Sequence, residues 1–212
     1  MIAYGKWRSD VFGQEPGTDP VMTELPEDTY DIPDEIALDY IDRALVDPDI
    51  HTLFTKEQIG IGLQTLYDHS CSDFPFAYIQ VADESRKVRA INNLSHLYSN
   101  FFERYCTSPV IRVGYDFEQG AIGYLCYMLW DIFVLYPGSA TKAMAQATVE
   151  VMKKALDSRN DQCVVSAIHG LGHWADDVPA AVDVLKNWLV DPSTPNPAIR
   201  EYARLAKTGC IQ

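Results

Sequence analysis

No run of basic residues occurs anywhere in this chain of 212 residues, whose 17 Lys and Arg are outnumbered by 30 Asp and Glu for a formal charge of −13. Attraction to nucleic-acid phosphates or anionic lipid requires a positive face, so both are disfavoured as partners. Also absent are a phosphate-binding glycine loop, a Gly-x-Ser-x-Gly elbow and any Cys-x-x-Cys pair, which removes the usual signatures of nucleotide, serine-hydrolase and paired-cysteine zinc chemistry. Five cysteines (Cys71, Cys106, Cys126, Cys163 and Cys210) are an odd number, and Cys126 and Cys163 fall in apolar, helical stretches. They read as reduced thiols filling a core, which implies a cytoplasmic setting. Residues 1–10 hold no apolar signal core, and the longest hydrophobic run, Ala121 to Tyr136, is broken by Asp131. That run is shorter than the ~20 apolar residues a bilayer asks for, so a buried helix is expected rather than a membrane span.

What is present is helical. Hydrophobic residues make up 47% of the chain and charged residues 22%, ordinary for one globular domain. Glycines, prolines and acids crowd the stretch from about Ser9 to Ile32, so residues 1–32 are expected to be an irregular acidic arm and residues 33–212 the folded domain. Ile36, Tyr40 and Ala44 recur at helical spacing until Asp47-Pro48. Thr55 followed three residues later by Gln58 is a capping box for a helix striped by Ile59, Leu63 and Leu66. Val88, Ile91, Ser95, Tyr98, Phe102 and Tyr105 mark another helix between Glu84 and Tyr105, with a short helix expected over Phe74–Val81 and a loop over Val110–Tyr115. Phe117 to Leu135 is apolar nearly all round, as in a helix walled in by others, and Pro137-Gly138 ends it. Further helices follow around Met144–Ala155, Gln162–Ala175 and Pro179–Val190, and a last one is capped by Asn196-Pro197 and closed by Gly209.

Two internal echoes bear on architecture. Leu45-Val46-Asp47-Pro48 and Leu189-Val190-Asp191-Pro192 end two helices alike, and Val164, Ala167, Ile168 and Leu171 map onto Ile199, Tyr202, Ala203 and Ala206 at an offset of 35 residues, from 164 to 199. Periods of about that length belong to helical-pair repeats that bury their apolar faces by stacking. The expected fold is therefore all-α: a single domain of stacked antiparallel helical hairpins, a HEAT-like α-solenoid. Cys126-Tyr127-Met128-Leu129-Trp130-Asp131, Ala167-Ile168-His169-Gly170-Leu171-Gly172-His173-Trp174 and the closing Tyr202 to Cys210 resemble an uncharacterised bacterial family of all-α, HEAT-like repeat proteins. The resemblance runs from about Phe54 onward and implies a solenoid and a bacterial cytoplasmic protein, but brings no activity. Pro179–Val190 departs from the HEAT pattern in lacking its usual arginine, for which Lys186 is only a rough substitute.

The residues that could carry chemistry are few. His169 and His173, four apart, lie about 40° from each other on a helix wheel. They fall about 140° and 180° from Val164, which together with Ala167, Ile168 and Leu171 marks the apolar stripe, and so are expected to point away from the core. Imidazoles at this spacing can share one metal ion, with a third ligand from Asp131, Asp176 or Asp177. Zincin chemistry is excluded in its usual form, because Gly170 stands where the general-base Glu would be. Against the metal stands a structural role, in which the histidines cap or bond to a neighbouring helix and Gly170 and Gly172 permit close packing, and that role takes precedence. Asp131, flanked by Trp130, Ile132 and Phe133, reads as a buried acid that must be paired, with His169 or His173 the expected partner. His51, His69 and His96 are isolated, and Cys126 and Cys163 would be nucleophiles only beside an activating base that nothing in the sequence places.

The leading expectation is a non-enzymatic protein-binding or scaffolding module with an acidic surface and a basic protein as partner, in its specific form an immunity-type inhibitor of a basic toxin. It needs no cofactor. The alternative is a small metal-dependent or acid–base enzyme centred on Asp131, His169 and His173, using a divalent metal held by His169, His173 and Asp176.

Overall fold

The computed structural model describes residues 2–110, 113 and 120–211, and among them all regular structure is helical, with no strand. The elements are α1 (Tyr4–Phe12), α2 (Glu27–Tyr30), α3 (Asp34–Ala44), α4 (Ile50–Leu53), α5 (Lys56–Tyr67), α6 (Ala77–Gln80), α7 (Glu84–His96), α8 (Glu103–Tyr105), α9 (Gly120–Ile132), α10 (Lys142–Ala155), α11 (Asp161–Trp174), α12 (Pro179–Trp188) and α13 (Pro197–Ala206). The capping chemistry is as expected. The Thr55 hydroxyl accepts from the Gln58 amide at 3.3 Å while the Gln58 carboxamide accepts from the Thr55 amide at 3.1 Å. Asn196 accepts from the Ala198 amide at 3.0 Å ahead of Pro197, and Gly209, at φ 71°, takes the left-handed backbone that follows the last helix. Among the described residues, no helix is long and apolar enough to cross a membrane.

The longer helices stack in chain order. α5 packs on α9, α9 on α11 and α11 on α13; α3 packs on α7, α7 on α10 and α10 on α12. Helices α7 and α8 are joined by a π-helical segment, Leu97–Phe102, so Glu84–Tyr105 is one helical run as its spacing predicts. Leu97, Tyr98, Phe101 and Phe102 of this segment all turn into the interior. Most of the expected loop over 110–115, and positions 117–119 of the expected Phe117–Leu135 helix, lie outside the described residues.

Two expectations are corrected. The first is the irregular arm over residues 1–32. Tyr4, Trp7, Val11 and Phe12 form a stripe at helical spacing, and α1 buries it against α5. Trp7, Val11 and Phe12 are wholly buried, and the Phe12 ring lies so close over Gly62 that a Cβ there would stand 2.3 Å from it. Arg8 then ties the helix to Asp47 at 2.7 Å. The glycines and prolines that signal an arm begin only at Gly13, beyond this helix. The second concerns the end of α9, which stops at Ile132 rather than Leu135. The Ile132 carbonyl is taken by the His69 amide at 3.2 Å and by the His69 ring, and Pro137 has no amide to continue the ladder at Phe133.

Candidate functional site

The site is built where α9, α11 and α13 lie side by side. Gly170 sets the spacing of the first two. A Cβ at this position would stand 2.4 Å from Cδ1 of Trp130, so glycine lets the indole lie directly across α11. The indole nitrogen of Trp130 donates to the Tyr98 hydroxyl at 2.9 Å, and Tyr98 meets Ser166 Oγ at 2.9 Å, which fastens the π segment to both helices. Asp131, the next residue of α9, is thereby held over the second face of α11.

There the carboxylate bridges both histidines. His169 Nε2 lies 2.7 Å from Asp131 Oδ2, and His173 Nε2 lies 2.7 Å from Asp131 Oδ1. The two imidazole nitrogens are themselves 3.0 Å apart. Burial alone would raise the Asp131 carboxyl, but hydrogen bonds from His169 and His173 outweigh it and hold the group well below the usual carboxylate range. The cluster is graded from inside to outside: the side chain of His169 is 2% exposed, that of Asp131 25% and that of His173 36%.

Behind His169 stands Tyr202 of α13, whose hydroxyl meets Nδ1 of the ring, with the two rings stacked at 6.1 Å and 17°. Tyr127, one turn before Asp131, places its hydroxyl 3.5 Å from that of Tyr202 and its ring 4.6 Å from His169. Burial, then the neighbouring Tyr127 phenol, pushes Tyr202 far above the ordinary tyrosine range, so it stays a neutral hydroxyl. Tyr127 is raised as well, chiefly by burial.

The structure thus brings together Asp131, His169 and His173, whose ligand atoms all lie within 4.8 Å of one another. Asp176 is not part of that group: its carboxylate lies beside Gly209, where a Cβ would stand 2.9 Å from Oδ1. Asp177 lines a groove between α10 and α12. Two details of the sequence reading change. Asp131 is a partly open rim residue rather than a fully buried acid. His169 does not face away from packed structure, because α11 is a central helix and its polar face is the one pressed against α9, with Gln162, Ser166 and His169 all buried; His173, one turn on, is exposed. The close-packing role read for Gly170 and Gly172 holds alongside the cluster; a Cβ on Gly172 would stand 2.8 Å from Ile211.

The other candidates take structural places. His51 meets the Tyr105 hydroxyl at 3.0 Å, His69 holds the end of α9, and His96 is exposed. Cys106, Cys126 and Cys163 are buried free thiols; burial, then contact with the Cys106 and Cys163 thiols, pushes Cys126 well above the ordinary range, which removes it as a thiolate nucleophile. The site residues that the sequence reading missed are Tyr127 and Tyr202. Tyr127 precedes Asp131 by four residues and so shares its helix face, a usable signal; nothing in the sequence joins Tyr202 to His169 across 33 positions.

Neither a protein-family model, nor a curated protein, nor a solved structure matches this chain. The resemblance drawn from the two sequence signatures therefore remains an expectation.

Proposed function

We propose that this chain is a metal-binding helical-repeat protein, in which Asp131, His169 and His173 hold one divalent transition-metal ion at the solvent edge of a HEAT-like stack. The observation that carries this reading is the convergence of two imidazole nitrogens, 3.0 Å apart, on one carboxylate, each 2.7 Å from a different oxygen of Asp131. Imidazole nitrogens about 2 Å from a common ion stand roughly 3 Å apart, so little movement separates this cluster from a coordination sphere. Two imidazoles and a carboxylate suit zinc, iron, cobalt or nickel better than calcium or magnesium, which prefer oxygen ligands throughout. Three protein ligands with an open side are the arrangement by which a bound ion keeps a position for water and lowers its pKa toward neutrality, the chemistry of metal-assisted hydrolysis. The order of contacts from α5 to α13 and from α3 to α12 supports the HEAT-like stack, and the ion would sit across its successive units.

Dialysis against zinc or cobalt followed by metal analysis tests the proposal. Stoichiometric metal in the native chain, lost in His173→Ala and Asp131→Asn, is the expected result; both side chains lie at the rim, so both variants should fold. Metal that is substoichiometric, or that is retained in both variants, overturns it.

A second reading has its own support in the charge of −13. An acidic helical-repeat surface suits a basic protein partner, as in immunity-type masking of a basic toxin in a bacterial cytoplasm, and disfavours nucleic acid. Association with such a partner would weaken as salt is raised; indifference to salt removes this reading.

A further inference from the structure

We propose that Tyr202 is the positioning residue of this centre, a hydroxyl that holds His169 in one orientation whether or not an ion is bound by exchanging the roles of donor and acceptor. The inference rests on the metal reading above and concerns how the site can be emptied and filled without rearranging.

A neutral imidazole carries one proton on two nitrogens, so the partner of one nitrogen dictates what the other can offer. Without an ion, His169 Nε2 lies 2.7 Å from Asp131 Oδ2, and an ionised carboxylate can only accept. The proton must then be on Nε2, leaving Nδ1 bare and in need of a donor. With an ion, Nε2 gives its lone pair to the metal, the proton sits on Nδ1, and Nδ1 needs an acceptor. A backbone carbonyl or a carboxylate, the common orienting partners of metal-bound histidine, could serve only the second state. A phenol serves both. In the empty site the Tyr202 O–H donates to Nδ1; in the filled site the Tyr202 oxygen accepts from Nδ1–H. One proton leaves Nε2 and one joins Nδ1 by exchange with solvent, so the ring itself releases none on loading.

When Tyr202 turns acceptor, its own hydrogen needs a place. The Tyr127 hydroxyl stands 3.5 Å away, at the edge of hydrogen-bond reach, and lies on α9 beside Asp131. A phenol keeps its proton at neutral pH, so the donor is present in either state. His173 shows the contrast: its ring is 36% exposed, so its orientation is not sealed from solvent in the same way.

Long-range nitrogen–proton NMR on histidine-labelled full-length protein, with and without zinc, tests this directly. The native chain should show His169 protonated at Nε2 when metal-free and at Nδ1 when zinc-loaded. Tyr202→Phe should mix the two tautomers in the metal-free chain and weaken zinc binding by about 10- to 100-fold in a chelator competition, the loss typical of an orienting partner. The same tautomer in both states of the native chain overturns the inference, and so does a Tyr202→Phe variant with unchanged tautomer and zinc affinity. A native chain that binds no zinc overturns the metal reading instead, and the metal-free tautomer in Tyr202→Phe still decides the role of the hydroxyl. Should that variant fail to fold, the tautomer change in the native chain on zinc loading settles the question by itself.

Discussion

Gly170 and Trp130 are in contact so close that no side chain fits between them: a Cβ on Gly170 would stand 2.4 Å from one indole atom and 2.6 Å from another. The indole is held in turn by Tyr98, so it cannot swing aside freely. Glycine inside a helix ordinarily costs up to about 1 kcal/mol relative to alanine. Here the sign should reverse. Gly170→Ala is expected to lower stability by about 1–3 kcal/mol through overpacking and to weaken metal binding by moving Asp131 off the histidines. Gly5, in α1 with nothing within 4 Å of its Cβ position, is the control: Gly5→Ala should leave stability unchanged or raise it by up to about 1 kcal/mol. Urea denaturation of the two variants compares them.

Trp7 tests whether α1 belongs to the core. It is wholly buried and packs its ring 5.4 Å from Tyr40 and 5.7 Å from Phe74. Trp7→Ala should cost about 3–5 kcal/mol, the range for deleting a buried aromatic side chain. An irregular arm would lose almost nothing, so a shift below about 0.5 kcal/mol in denaturant unfolding would count against the packing described for α1.

Tyr98 joins three helical segments through one hydroxyl. Tyr98→Phe leaves the Trp130 indole nitrogen and the Ser166 hydroxyl without that partner in the interior. Leaving such groups unsatisfied costs about 1–3 kcal/mol. The loss should appear in thermal unfolding, while zinc affinity, if backbone spacing is kept, changes less than in Tyr202→Phe.

Asp42 should make the fold sensitive to pH. Burial pushes its carboxyl up to about 6, against the lowering influence of Asn93, Arg89 and Arg86, with Asp39 adding to the rise. One of its oxygens is buried and has no hydrogen-bond partner. The folded chain thus favours the protonated acid more than the unfolded chain does. The stabilising contribution is complete below the unfolded value near 4 and is lost as pH climbs through about 6. Asp42→Asn should therefore gain about 2 kcal/mol over the native chain at pH 7 and nothing at pH 3.5, allowing for the partial exposure of the side chain. A stability difference that does not vary with pH would contradict this assignment.

How much of this was legible in the sequence varies from one residue to the next. Capping residues such as Thr55 and Asn196 act within a few positions of themselves, so their helices could be read directly. The pairing of Asp131 with a histidine was also legible, because an acid among Trp130, Ile132 and Phe133 must find a partner and few were on offer. The orientation of α11 was not. A helical wheel assigns one buried face, whereas a helix in the middle of a stack has two, and the polar one holds the site. Asp176 looked as good a ligand as Asp131 by spacing, but the chain turns after Trp174 and sends its carboxylate to Gly209. Tyr202 depends on how α13 lies against α11, a tertiary fact with no local signal.

Asp131, His169 and Tyr202 belong to α9, α11 and α13, with α11 touching both of the others. Any slide or twist of one against its neighbour registers first as a change in the gap between a carboxylate oxygen, a ring nitrogen and a phenol. An ion seated there would rivet adjoining layers together, making occupancy and the rigidity of the C-terminal half a single property.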